Sequence, residues 1–138
     1  MTTTPNPFEP HILPIRIYYE DTDAAGVVYY ANYLRFAERG RMEFLRPFGY
    51  SHERARDEFK AILVVRRVEV DYLASARLDD LLDVVTEIGE CKNSSMTMKQ
   101  TIRRGETVLS AITVVLVAVG PSGKAVRIPP QLRQIFQQ

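Results

Sequence analysis

The hydrophobic pattern of the chain changes period twice. From Leu13 to Tyr19 apolar and polar positions alternate, with Leu13, Ile15, Ile17 and Tyr19 on one face, which predicts a half-buried strand. Glu20 to Val28 carries three acids and Gly26 and reads as a loop. Tyr33, Phe36, Ala37, Gly40, Phe44 and Phe48 then recur at the spacing of an amphipathic helix, with Arg35, Glu38, Arg39 and Glu43 on the opposite face. Pro47 and Gly49 mark its end. Ser51 precedes a short second helix as N-cap, with Arg54 where a capping box would carry an acid or amide.

From Ile62 the period falls to two. In Ile62–Tyr72, Val68, Val70 and Tyr72 face one way and Arg67, Glu69 and Asp71 the other. Leu82–Ile88 aligns Leu82, Val84, Thr86 and Ile88, and Ser95–Arg103 aligns Met96, Met98 and Ile102. After a turn at Arg104-Gly105, Thr107–Val119 is apolar on both faces in its second half, which requires cover on both faces. Pro121-Ser122-Gly123 turns the chain, and Pro129-Pro130 introduces a helix over Gln131–Phe136. Strand, long helix and four strands make an α+β layer of one helix on a five-stranded antiparallel sheet. One helix leaves the sheet edges unguarded, so a second copy is expected, giving at least a homodimer.

Composition narrows the chemistry more than it suggests any. The 138 residues fit one domain, read as a flexible lead-in over residues 1–12 and a single domain over 13–138. Three prolines and three threonines among the first ten residues cannot build a packed face. Eighteen Lys and Arg against 17 Asp and Glu give no electrostatic reason to expect nucleic acid. The single cysteine, Cys91, excludes an internal disulfide and a cysteine-based zinc site. His11 and His52 stand far apart, so neither a metal centre nor a cofactor is expected. No apolar run approaches the roughly 20 residues of a membrane helix. The N-terminus lacks the basic and apolar regions of a signal peptide, and the expected address is the cytoplasm.

The chemistry is best sought between Tyr19 and Tyr33. Acids there feed the start of the main helix, where unpaired N–H groups and a partial positive charge can hold a developing oxyanion. A carboxylate beside such donors is the minimum equipment for acyl transfer. Acids before a helix also serve stability alone, and both readings stand at this point. A calcium loop does not fit: counted from Asp21, the fifth and twelfth positions are Ala25 and Asn32.

The segment YYEDTDAAGVVYYANYLRFAERGRMEFLR resembles the signature of the 4-hydroxybenzoyl-CoA thioesterase family, in particular its YbgC-like, Tol–Pal-associated acyl-CoA thioesterases. The likeness continues in VVRRVEVDYLASARLDDLLDVVTEIGE and covers roughly Leu13 to Pro129. It implies a hotdog fold, a long central helix wrapped by a five-stranded antiparallel sheet, assembled as a homodimer or homotetramer. It implies hydrolysis of acyl-CoA to free acid and CoA, with an acyl-carrier protein as a further candidate partner. The family's catalytic aspartate matches Asp23, not Asp21, and its backbone oxyanion donor matches Tyr30. Tyr19 matches a tyrosine four residues before the aspartate. Lys92, Asn93, Ser94 and Ser95 occupy the region where members hold CoA near a subunit interface. Tyr30 stands where YbgC-like members commonly carry His and the aryl-CoA branch carries Tyr. Ala25 and Ala74 replace a frequent glycine and a usual proline.

Asp23 would act as nucleophile or as general base, and the sequence does not choose between them. Two other classes remain: a non-catalytic acyl-CoA or acyl-carrier binding protein, and a hotdog hydratase or dehydratase, for which neither histidine is well placed. No G-x-S-x-G elbow supports a serine hydrolase. Cys91 reads as an inert thiol, Glu38 as a solvated partner of Arg35 or Arg41, and Met96 and Met98 as core. Tyr29, Tyr30 and Tyr33 also suit core or interface packing. Arg77, Asp79 and Asp80 read as residues that order a connection between strands.

Overall fold

Alternation of apolar and polar residues in five separate segments produces a five-stranded antiparallel sheet in the computed structural model, which describes residues 5–136. The first four residues of the expected lead-in and the last two of the expected domain lie outside them. The strands are β1 (His11–Arg16), β2 (Ile62–Tyr72), β3 (Leu81–Cys91), β4 (Ser95–Arg104) and β5 (Thr107–Val119), in spatial order β1-β3-β4-β5-β2. Helices α1 (Asn32–Leu45), α2 (His52–Arg54) and α3 (Pro130–Phe136) complete the α+β layer.

The register stacks the apolar rows on one face. Ile15 lies opposite Leu82, Val84 opposite Ile102 and Met98 opposite Val114. These side chains are buried, and so is the α1 face of Tyr33, Phe36, Ala37 and Phe44. Full burial of a side chain such as Phe36 contributes about 1.5–3 kcal/mol. The opposite face of β5, with Val115 and Val117, is only half-buried, so the cover expected on both faces is partial within one chain.

Two contacts set α1 against the sheet. Gly40 lets the helix approach closely: a Cβ there would meet Val84 Cγ1 at 2.6 Å and Thr86 Oγ1 at 3.0 Å. Beside it, the buried Gln100 amide donates to the Ala37 carbonyl at 2.8 Å and to Thr86 Oγ1 at 2.9 Å. Its oxygen accepts from Arg41 Nη1 at 3.1 Å. Every polar atom of this buried amide therefore has a partner, which is the condition for such a group to support a packed interface.

Several expected boundaries move. β1 starts at His11, so His11 and Ile12 belong to the sheet, correcting a flexible lead-in through residue 12. β1 also ends at Arg16, short of Tyr19. From Ile17 the pairing passes to the connection before β3, with Ile17 N–H donating to the Asp80 carbonyl at 2.9 Å. The Asp21 carboxylate then accepts the Tyr18 N–H at 2.9 Å and winds residues Tyr19–Asp21 into a 3-10 turn. The main helix is shorter than expected, with 14 residues of α-helix and a 3-10 turn over Arg46–Phe48 that contains Pro47. Ser51 does cap α2, accepting the Arg54 N–H at 3.1 Å.

Candidate active site

The loop before α1 is built from its own acids. Asp23 closes a tight turn: its N–H donates to the Val27 carbonyl at 2.8 Å, and its Oδ1 accepts the Ala25 N–H at 2.8 Å. Gly26, with φ +82°, supplies the left-handed residue that this turn requires. The strands of the loop meet at a bridge between Thr22 and Val28.

Hydrogen bonds separate the two aspartates. Asp21 is spent on structure, since one carboxylate oxygen accepts Tyr18 N–H and the other accepts Asn32 Nδ2 at 3.3 Å. Its carbonyl accepts Tyr29 N–H at 3.1 Å. Asp23 is exposed, and among the described residues its Oδ2 has no partner. A carboxylate oxygen is therefore left open at Asp23 and not at Asp21.

The helix start supplies donors of the complementary kind. The N–H groups of Asn32, Tyr33 and Leu34 are taken by the carbonyls of Tyr29, Tyr30 and Ala31. Those of Tyr30 and Ala31 find no acceptor among the described residues. They are the N–H groups of an N-terminal turn, which carry the positive end of the helix dipole. Such a donor is suited to a carbonyl oxygen gaining negative charge.

A tyrosine cluster surrounds this turn. The Tyr30 ring lies 4.8 Å from Tyr29 and meets Tyr72, at the end of β2, edge-on at 5.9 Å. Tyr33 also meets Tyr72, at 5.6 Å. Val28, Tyr30, Tyr33, Tyr72 and Ser75 line a cavity of about 220 Å³. The Tyr72 phenol is held above its ordinary pKa by burial and then by the Tyr30 and Tyr33 phenols. The Tyr29 phenol is raised by its hydrogen bond with Tyr30. Both therefore stay protonated at neutral pH, and of the two it is Tyr72 that lines the cavity.

Residues 18–136 match the sequence profile of the thioesterase-like superfamily. The chain belongs to this superfamily. It is 40% identical over 124 residues to the acyl-CoA thioesterase YbgC of Haemophilus influenzae, covering 89% of this chain and 91% of that protein. It is 45% identical over 109 residues to the acyl-CoA thioester hydrolase YbgC of Escherichia coli, covering 78% and 81%. The crystal structure of a probable thioesterase from Bartonella henselae superposes with a TM-score of 0.84 at 35% identity, covering 88% of this chain and all of that one. The fold is accordingly the hotdog fold of the thioesterases.

The remaining candidates of this thioesterase-like chain are dispersed. Tyr19 is 82% exposed and lines a separate open groove with Tyr18, Glu20, Leu78 and Asp79, away from the Tyr30 cavity. It does not share a β1 face with Leu13 and Ile15. Lys92, Asn93 and Ser94 form the turn between β3 and β4, at the end of the sheet opposite Asp23. The 11 residues of β3 separate them, roughly 33 Å at strand spacing. That turn is tied to the C-terminal segment: Ile128 N–H donates to the Asn93 carbonyl at 2.8 Å, and Arg133 Nη2 donates to the Lys92 and Asn93 carbonyls at 3.0 and 2.8 Å. One chain does not bring it to the Asp23 loop.

Sequence reasoning missed Asn32, Tyr72 and Ala76 as parts of the site. Ala76 is completely buried, its carbonyl accepts Val28 N–H at 2.9 Å, and its own N–H donates to the Tyr33 hydroxyl at 3.0 Å. An alanine gives no chemical signal, whereas Asn32 at a helix start and Tyr72 at a strand end were open to notice. Arg77, Asp79 and Asp80 do order the connection between β2 and β3, Asp80 Oδ2 accepting the Arg77 N–H at 2.9 Å. Among the described residues no group of three or more His, Cys, Asp and Glu is placed to hold a metal. No helix among them is long and apolar enough to cross a membrane.

Proposed function

We propose that the protein hydrolyses acyl-CoA thioesters to free acid and CoA, with Asp23 acting on the carbonyl carbon and the Tyr30 N–H holding the carbonyl oxygen. The reading rests on one observation: an open carboxylate oxygen at Asp23 and an open N–H at Tyr30 belong to the same short loop that leads into α1. The names of the YbgC relatives support the choice of substrate. Loss of one oxyanion donor typically costs about 2.7–4 kcal/mol of transition-state stabilisation, which sets the scale of what the Tyr30 N–H contributes.

Two routes use the same geometry. In one, an Asp23 oxygen attacks the thioester carbon, the carbon–sulfur bond breaks, and CoA leaves as a thiolate that takes a proton. Water then cleaves the mixed anhydride, releasing the acid and restoring the carboxylate. In the other, Asp23 takes a proton from the water that attacks the carbon. The tyrosine-lined cavity beside Tyr30 receives the acyl group in this account.

The exposed edge of β2, with Val64, Val65 and Val68, is the surface at which two copies would extend their sheets into one. Lys92, Asn93 and Ser94 contact the CoA portion only where another copy brings that turn to the Asp23 loop. Tyr19 flanks the approach to the loop. The same reading puts the protein in the cytoplasm.

Release of free thiol from a panel of acyl-CoAs, with the acid product identified by mass, tests the proposal. Catalytic release of acid and CoA is expected. Saturable binding by calorimetry without turnover on any member of the panel would assign the protein to the binding class instead.

A further inference from the structure

We infer that Asp80 and Arg104 act together as a positioning pair for the oxyanion turn, setting the place of the Tyr30 N–H without touching substrate. The inference rests on the proposed reaction and names a part of the chain that the reaction as described does not use.

The connection between Tyr72 and Leu81 holds the catalytic loop from behind. Among the described residues its one ladder contact to the loop is the bridge between Arg77 and Val27. Next to that bridge, Ala76 takes the Val28 N–H and gives its own N–H to the Tyr33 hydroxyl. Val28 lies two residues before Tyr30 and Tyr33 three residues after it. Both flanks of the donor are therefore fastened to a single buried alanine, and a shift of Ala76 is a shift of the Tyr30 N–H.

Asp80 and Arg104 fix where Ala76 sits. Asp80 Oδ2 closes the turn by accepting the Arg77 N–H at 2.9 Å, and the same oxygen accepts Arg104 Nη1 at 2.7 Å. Arg104 Nη1 also reaches the Ser75 carbonyl at 3.3 Å, on the other side of Ala76. Arg104 stands at the end of β4, where the β4–β5 hairpin is paired through Arg104 and Thr107. The guanidinium thus ties both shoulders of Ala76 to the rigid part of the sheet. Asp79 adds a left-handed backbone, φ +72°, inside this turn, and its carbonyl accepts Arg16 Nη1 at 2.8 Å. A half-exposed ion pair contributes little to global stability, so its effect is expected in the placement of the turn.

The test compares Arg104→Met, Asp80→Asn and Arg104→Lys with the intact protein on its best acyl-CoA, with Asp23→Asn alongside. Arg104→Met and Asp80→Asn should lower kcat about 10–100-fold per folded molecule, the loss typical of a small misplacement of a reacting group. KM should stay within about twofold, because substrate binding is not the function assigned. Arg104→Lys, which keeps a cation for Asp80, should recover most of kcat. Amide exchange at Val28 should quicken in Arg104→Met and return in Arg104→Lys. Should Asp80→Asn lose its fold, Arg104→Gln carries the same comparison. Unchanged kcat per folded molecule in Arg104→Met overturns the inference, as does a rise in KM alone. Full activity in Asp23→Asn would instead overturn the proposed reaction, so the two failures are distinguishable.

Discussion

The hydroxyl of Tyr33 accepts the N–H of Ala76 at 3.0 Å, joining the first turn of α1 to a connection 43 residues further along the chain. Ala76 is completely buried, so its N–H depends on the phenol as its partner. Tyr33→Phe removes the acceptor and leaves a buried N–H unpaired, at a cost of about 1–3 kcal/mol. Denaturant unfolding should show that loss. Equal stability of the two proteins would mean that the N–H finds another partner.

Gly40 tests the seat of α1 on β3. A methyl group there would meet Val84 Cγ1 at 2.6 Å, inside contact distance, with Thr86 and the Gln100 amide closing the other sides. Better helix propensity favours alanine by up to about 1 kcal/mol, but overpacking a filled interface costs about 1–3 kcal/mol. Gly40→Ala should therefore lower the unfolding free energy. A more stable variant would show that the sheet yields more readily than this contact implies.

The Asp80 carboxyl carries a pH signature. Partial burial alone would raise its pKa, but the Arg77 N–H and the Arg104 guanidinium outweigh burial and hold it below the ordinary carboxylate range. A carboxyl depressed on folding stabilises the folded state above its unfolded value, about 3.9, and loses that contribution as the pH falls through the folded value. The stability difference between the intact protein and Asp80→Asn should be constant from neutral pH to about 5 and shrink below about 4. A difference that grows in acid would contradict the assignment.

Tyr30 separates backbone from side chain. The proposed oxyanion donor is an N–H, so Tyr30→Phe retains it and removes only the hydroxyl of an exposed residue. Turnover should stay within roughly threefold, whereas loss of an oxyanion donor costs about 10²–10³. A loss of the larger size would make the phenol the acting group.

The long strands were legible because period-two patterning acts locally: the alternation over Ile62–Tyr72 and Thr107–Val119 coincides with β2 and β5. The end of β1 was not, because Tyr19 is in phase with Ile15 and Ile17 while the strand is stopped by the Asp21 carboxylate taking the Tyr18 N–H. The acid-rich loop and helix start were visible as candidate chemistry, yet the residues alone rank Asp21 and Asp23 equally. Only the hydrogen bonds distinguish a carboxylate that is occupied from one that is open. Tyr72 and Ala76 reach the loop and the helix start across some 40 residues or more through two ring contacts and two backbone groups, and no local period encodes such pairings.

The central claim is that the Asp23 carboxylate does the chemistry. Steady-state release of CoA by Asp23→Asn, on the acyl-CoA that the intact protein turns over fastest, tests it most directly. The account predicts a fall in kcat of about 10²–10⁴-fold with an unchanged unfolding midpoint. Turnover close to that of the intact protein would contradict it.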